Sequence, residues 1–127
     1  MSGLGMVAIV VDDYDKAICH YCDDLGFRLI EDTKLDELKR WVVLSTGSNG
    51  LNILLAKASN EAQVAAIGNS TGGRVAFFLY TNNFDQTYGN YLDRGIDFTE
   101  QPRNEKFGKV VVFKDAYGNK WDLIERV

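Results

Sequence analysis

The chain has 127 residues, 46% of them apolar, which is enough for one domain with a core of its own. Fourteen basic against eighteen acidic residues give a formal charge of -4, which speaks against the clustered Lys and Arg that phosphate-backbone binding requires. There is no run of eighteen apolar residues and no basic-then-apolar leader, so the expectation is a cytoplasmic protein with no membrane span and no signal peptide, whose partner is a small molecule.

Residues 7–11 form a continuous apolar run of strand length, and Asp12-Asp13 ends it with turn chemistry. A helix is expected next, because Tyr14, Ala17, Ile18, Tyr21 and Leu25 recur at spacings of three and four while Asp15, Lys16 and Asp23 take other faces. Gly26 suits its C-cap. Within this helix Cys19 and Cys22 are too few and too close for a disulfide framework and read as reduced thiols. With His20 they lack a second cluster to complete four zinc ligands, so they are expected as small residues at the packed edge, and His20 as a surface residue with no acid to orient it.

Residues 27–30 read as a strand, 31–39 as a charged loop, 40–44 as a strand, 46–50 as a turn and 51–56 as a strand. Residues 57–73 lapse into small and polar types, with a short helix expected over 61–67, and 75–80 restart the strand pattern. The segment 98–103 holds the only proline and reads as a strand leaving into a loop, with Glu100 and Arg103 as solvated loop charges or as groups at a cleft mouth. The chain closes with a strand at 110–113, a turn in which Asp115 bonds back to the backbone and Gly118-Asn119 tolerate positive φ, and a strand at 121–124. If Trp121 and Leu123 pack inward, alternation sends Asp122 to the opposite face.

The second half repeats the first. Val11-Asp12-Asp13-Tyr14-Asp15 is echoed by Thr81-Asn82-Asn83-Phe84-Asp85, Tyr21 by Tyr91, Leu25-Gly26-Phe27 by Arg94-Gly95-Ile96, and Trp41-Val42-Val43-Leu44 by Val110-Val111-Val112-Phe113. The offset stays near seventy; carried through the hairpins it sets Ile53 over Asp122. Each half is then strand, helix, three strands: an α+β fold of two paired βαβββ modules forming a curved, cleft-enclosing mixed sheet with helices outside. Module 1 is placed at about 1–58, a connector at about 59–73 and module 2 at about 74–127 of a single domain.

With Val7-Ala8-Ile9-Val10-Val11-Asp12-Asp13, Tyr21, Leu25-Gly26-Phe27 and the closing residues 113–124, the chain resembles the vicinal oxygen chelate superfamily, which includes glyoxalase I, extradiol dioxygenases and bleomycin-binding resistance proteins. The resemblance implies paired βαβββ modules, often in homodimers, and a divalent metal held by His, Glu or Gln from four strands. Those four positions are occupied here by Met6, Ile53, Arg74 and Asp122. A thioether, a hydrocarbon and a permanent cation are poor company for such an ion, so no cofactor is expected. Asp122 is instead expected to pair with Arg74. The ligand-binding cleft is expected to be lined by Met6, Ala8, Trp41, Ile53, Arg74, Phe78, Tyr80 and Asp122, an apolar surface with a few polar handles.

Three functions follow from the resemblance. The favoured one is a metal-free small-molecule-binding protein that takes a planar or cationic ligand. The second is a metal-dependent lyase or dioxygenase with a rearranged site, or a metal-free enzyme using Arg74, Asp122 and Tyr80. The third is a dimeric scaffold without catalysis.

Overall fold

The computed structural model describes residues 1–127. They form two compact units, Met1–Ile67 and Gly68–Val127, each a strand, a helix and further strands around its own sheet. No helix is long and apolar enough to cross a membrane.

In the first unit, β1 (Met6–Val11) leads into α1 (Tyr14–Cys19), then β2 (Arg28–Lys34), β3 (Arg40–Ser45), β4 (Asn52–Lys57) and α2 (Glu61–Ala66). The sheet order is β1-β4-β3-β2, with β1 parallel to β4 and the other pairs antiparallel. Asp13 caps α1 by accepting the Lys16 amide at 2.9 Å. The helix then widens into a π-helical turn, His20–Asp24, that keeps Tyr21 fully buried. Gly26 stops it at φ 82°, its amide bonded to the Cys22 carbonyl. Ile9, Val11, Val42, Leu44, Ile53 and Leu55 share one buried face, and Tyr14, Ala17 and Tyr21 of the helical segment are buried with them.

Two expectations need correction here. The charged stretch after residue 30 is not a loop from the start: β2 runs on to Lys34, exposed at every position, because Arg40 on β3 grips Asp32 at 2.7 Å and 3.1 Å and holds the edge strand in register. His20 is not a surface residue without an acid. Its side chain is 11% exposed, and Nδ1 lies 2.8 Å from Asp24 one helical turn on.

The second unit contains β5 (Val75–Tyr80), α3 (Phe84–Asp93), β6 (Asp97–Phe98), β7 (Arg103–Glu105), β8 (Gly108–Lys114) and β9 (Lys120–Arg126). Its sheet order is β5-β9-β8-β6, with β7 also paired to β8. Asn83 repeats the capping role of Asp13, accepting the Gln86 amide, and Glu125 accepts the Phe84 amide at 2.8 Å. Along the core an aromatic chain runs Phe77, Trp121, Phe113, Tyr91, with ring centroids 4.7 Å to 5.8 Å apart. Trp121 thus packs on the side of the sheet that carries α3, as alternation required.

The turn between β8 and β9 is held by one buried carboxylate. Asp115 Oδ1 accepts the amides of Tyr117 and Asn119 at 2.9 Å and 3.1 Å, and Oδ2 accepts Asn119 Nδ2 and Trp121 Nε1 at 3.0 Å and 2.9 Å. Gly118 supplies the positive φ, 92°, that the reversal needs. Asn119 keeps a negative φ, so glycine alone does what the dipeptide was expected to share. Asp115→Ala strands the Trp121 and Asn119 donors in the interior, and urea denaturation is expected to show a loss of about 3 kcal/mol.

Candidate functional site

The candidate site lies on the face of the second sheet opposite α3. Trp121 and Leu123 of β9 point into the core, so Asp122, Ile124 and Arg126 point the other way. Cross-strand pairing sets Asp122 between Phe78 on β5 and Val112 on β8, and Ile124 between Tyr80 and Val110. Partners in adjacent strands sit about 5 Å apart, so Phe78 and Asp122 are immediate neighbours. Phe78 and Tyr80 are exposed on this face, at 57% and 54%, and so is Arg126. The Arg126 guanidinium lies over the Tyr80 ring at 4.3 Å.

Asp122 itself is 9% exposed, and its Oδ1 is buried without a hydrogen-bond partner. Burial pushes its carboxyl above the ordinary value of 3.8; the positive charge of Arg103 pulls the other way, and Glu100 pushes it further up. Arg103 is held by two carboxylates, Glu100 at 3.0 Å and Glu105 at 2.8 Å. Glu100 also accepts the backbone amide of Val112, the residue opposite Asp122, at 3.1 Å. Glu100 and Arg103 are therefore an ordered pair beside Asp122.

Because the folded chain binds the Asp122 proton more tightly than the unfolded chain, ionisation costs stability. The loss begins as pH rises through 3.8 and is complete above the raised folded value. Asp122→Asn removes the titration, so the stability of the variant relative to the parent is expected to be higher at pH 7.5 than at pH 4.5. Urea midpoints at the two pH values check the sign.

Met6 and Ala8 lie on the face of the first sheet opposite α1, with Trp41 half-buried on the same face of β3. Ile53 does not join them. It is 3% exposed and pairs with Val7 and Leu44 on the side that carries α1. The reason is a turn length: residues 46–51 separate the pair Ser45 and Asn52, whereas residues 115–119, one fewer, separate Lys114 and Lys120. The offset between the halves drops by one through the hairpin, and the true counterpart of Asp122 is Leu54.

Arg74 is exposed, stands before β5, and forms no ion pair with Asp122, whose Oδ1 is unpartnered. Val75, Ala76 and Phe77 separate Arg74 from Phe78, the residue abreast of Asp122, a span of roughly 13 Å along a strand. Arg126, four residues beyond Asp122 on one strand, lies on the same face, a placement that alternation alone gives.

These residues do not fit a divalent metal. Asp122 is flanked in register by Phe78 and Val112, which carry no donor, and the remaining family positions offer a thioether, a hydrocarbon and a guanidinium. No group of three His, Cys, Asp or Glu side chains is placed to hold an ion. That includes Cys19, exposed, and Cys22, half-buried, with His20 between them. Burial is the main cause that raises the Cys22 thiol above its ordinary value, away from the thiolate that binds metals.

Two βαβββ units with a carboxylate on the helix-free face of the last strand define a class, and comparison with known proteins gives it a name. Residues 3–123 match the model of the Glyoxalase/Bleomycin resistance protein/Dioxygenase superfamily, and the chain belongs to that superfamily. An uncharacterized protein of Shewanella frigidimarina (strain NCIMB 400) is 49% identical over 121 residues, which cover 94% of this chain and 90% of the relative. Among solved structures, UcmS2 is similar at 27% identity and a TM-score of 0.83, with 98% of each chain covered. TnmS3, an antibiotic binding protein from Streptomyces sp. CB03234, shares the fold at 21% identity and a TM-score of 0.79, over 100% of this chain and 98% of its own.

Proposed function

We propose that this protein binds a small organic molecule on the helix-free face of its second sheet, and that it does so without a metal ion. The observation that carries the reading is Asp122, a buried carboxylate with an unpartnered oxygen, set beside the exposed rings of Phe78 and Tyr80. Exposed aromatic side chains beside a few fixed polar groups are the usual composition of a small-molecule site. An unpaired buried acid costs stability, and a site that awaits a donor from outside accounts for that cost. TnmS3, an antibiotic binding protein of the same fold, supports the reading at the level of what such a scaffold accommodates; at its distance from this chain it does not name the ligand.

Protein purified without a metal-binding tag is expected to hold well under one equivalent of divalent metal per chain by elemental analysis, and a chelator should leave its melting temperature unchanged. About one tightly held equivalent per chain would overturn the metal-free reading. In a thermal-shift screen of aromatic compounds, a true ligand at one hundred times its Kd stabilises the native state by about 2.7 kcal/mol. The same compound should give no shift with Phe78→Ala.

A further inference from the structure

The turn between β3 and β4 carries chemistry of its own, separate from ligand binding. We infer that Asn49-Gly50 is a site of self-modification, at which the chain converts Asn49 into isoaspartate and aspartate with release of ammonia. It is the one Asn-Gly pair in the chain; the other eight asparagines are each followed by a residue with a side chain. The reaction brings the backbone nitrogen of residue 50 onto the side-chain carbonyl carbon of Asn49, and glycine, which has no Cβ, leaves that approach open. Both residues are exposed. The turn also accounts for glycine at this place. A Cβ at position 50 would lie 2.5 Å from Thr46 Oγ1, which is held by donating to the Leu51 carbonyl at 2.7 Å. Any side chain there has to displace that bond.

Little holds the reacting groups back. The Gly50 amide bonds to the Gly47 carbonyl at 3.3 Å, longer than the usual range. The Asn49 carboxamide takes part in none of the hydrogen bonds of the turn, whereas Asn60 and Asn83 are held as helix caps and Asn119 by Asp115. In the first step the Gly50 nitrogen gives its proton to base and bonds to Asn49 Cγ; the Cγ–Nδ2 bond breaks and ammonia leaves, closing a five-membered succinimide between adjacent residues. Water then opens the ring. Cleavage between the Gly50 nitrogen and the Asn49 backbone carbonyl leaves the chain running through Cβ and Cγ, an isoaspartate; cleavage of the new bond to Cγ leaves ordinary aspartate. No atom changes oxidation state. Isoaspartate adds one atom to the backbone of a turn that closes on the pair Ser45 and Asn52, and strand register depends on turn length. Both products add a carboxylate.

Ageing the full chain at mildly alkaline pH, followed by digestion and mass spectrometry, tests the inference. The peptide that holds Asn49 is expected to exchange an NH for an oxygen about tenfold or more faster than the peptide of any other asparagine, and to accept a methyl group from an isoaspartyl methyltransferase. Because the Gly50 nitrogen must lose a proton, the conversion is expected to slow at mildly acidic pH. Asn49→Ser, folded by circular dichroism, is expected to abolish the methyl acceptance. Hydrogen exchange of the aged protein should quicken in β3 and β4 beside the turn and stay unchanged in the second unit. Should any other asparagine come within that factor of Asn49, or should the folded chain keep Asn49 intact while the urea-unfolded chain converts it, the turn is not the site. Should the aged protein exchange like the fresh one, the claim that the added atom disturbs the sheet is overturned.

Discussion

The Asp115 carboxylate is the constraint on which the second unit depends. Its two oxygens take four donors from three residues, two in the turn, Tyr117 and Asn119, and one just beyond it, the indole of Trp121 on β9. That bond sets the parity of β9. With Trp121 turned toward Phe113 and Phe77, Leu123 follows it into the core and Asp122 is sent to the opposite face. A slip of one residue would exchange the two sets, placing a carboxylate among the aromatic rings and an indole on the outer face, a change costly on both counts. The acid that closes the turn therefore positions the acid of the site, seven residues away.

Much of this was legible in the sequence, because the repeat is written in residues whose physics is local. Asp13 and Asn83 sit at matching places before Tyr14 and Phe84 and cap both helices; Gly26 ends the first helical segment with the positive φ that only glycine adopts freely. Asp122 could be placed on the outer face from the alternation of Trp121 and Leu123 alone. What escaped was relational. The counterpart of Asp122 in the first half depends on whether the two hairpin turns are equally long, and a single residue of difference moves it from Ile53 to Leu54. Arg74 and Asp122 both occupy positions that the resemblance assigns to metal ligands, yet Asp122 on β9 stands abreast of Phe78, and the distance from there back to Arg74 before β5 is a matter of register that no composition reveals.

The polar interactions that the sequence does not reveal join residues far apart in the chain or in different elements. Arg40 reaches from β3 to Asp15 and Asp32, residues 25 and 8 positions away in the chain, and by doing so extends β2 through a stretch that reads as loop. Arg103 between Glu100 and Glu105 has the look of solvated charge in the sequence. In the structure one of those glutamates also receives the Val112 amide, which fastens the connection between β6 and β7 to β8 beside Asp122. Surface charges of this kind add little to stability singly; their effect here is on where strands begin and end.

The repeat supplies its own control for the site. Position for position, the outer face of the fourth strand in the first unit carries Leu54, and the outer face of the last strand carries Asp122. A leucine meets the demands of packing on such a face at no electrostatic cost. The two units solve the same folding problem, so a buried acid with an unpartnered oxygen is not a requirement of the βαβββ unit. It is a departure confined to one of the two, beside Phe78 and Tyr80, and it lowers the stability of the unit that carries it. A departure that costs stability where a neutral solution exists in the same chain is what makes the second sheet, and not the first, the place for the proposed ligand.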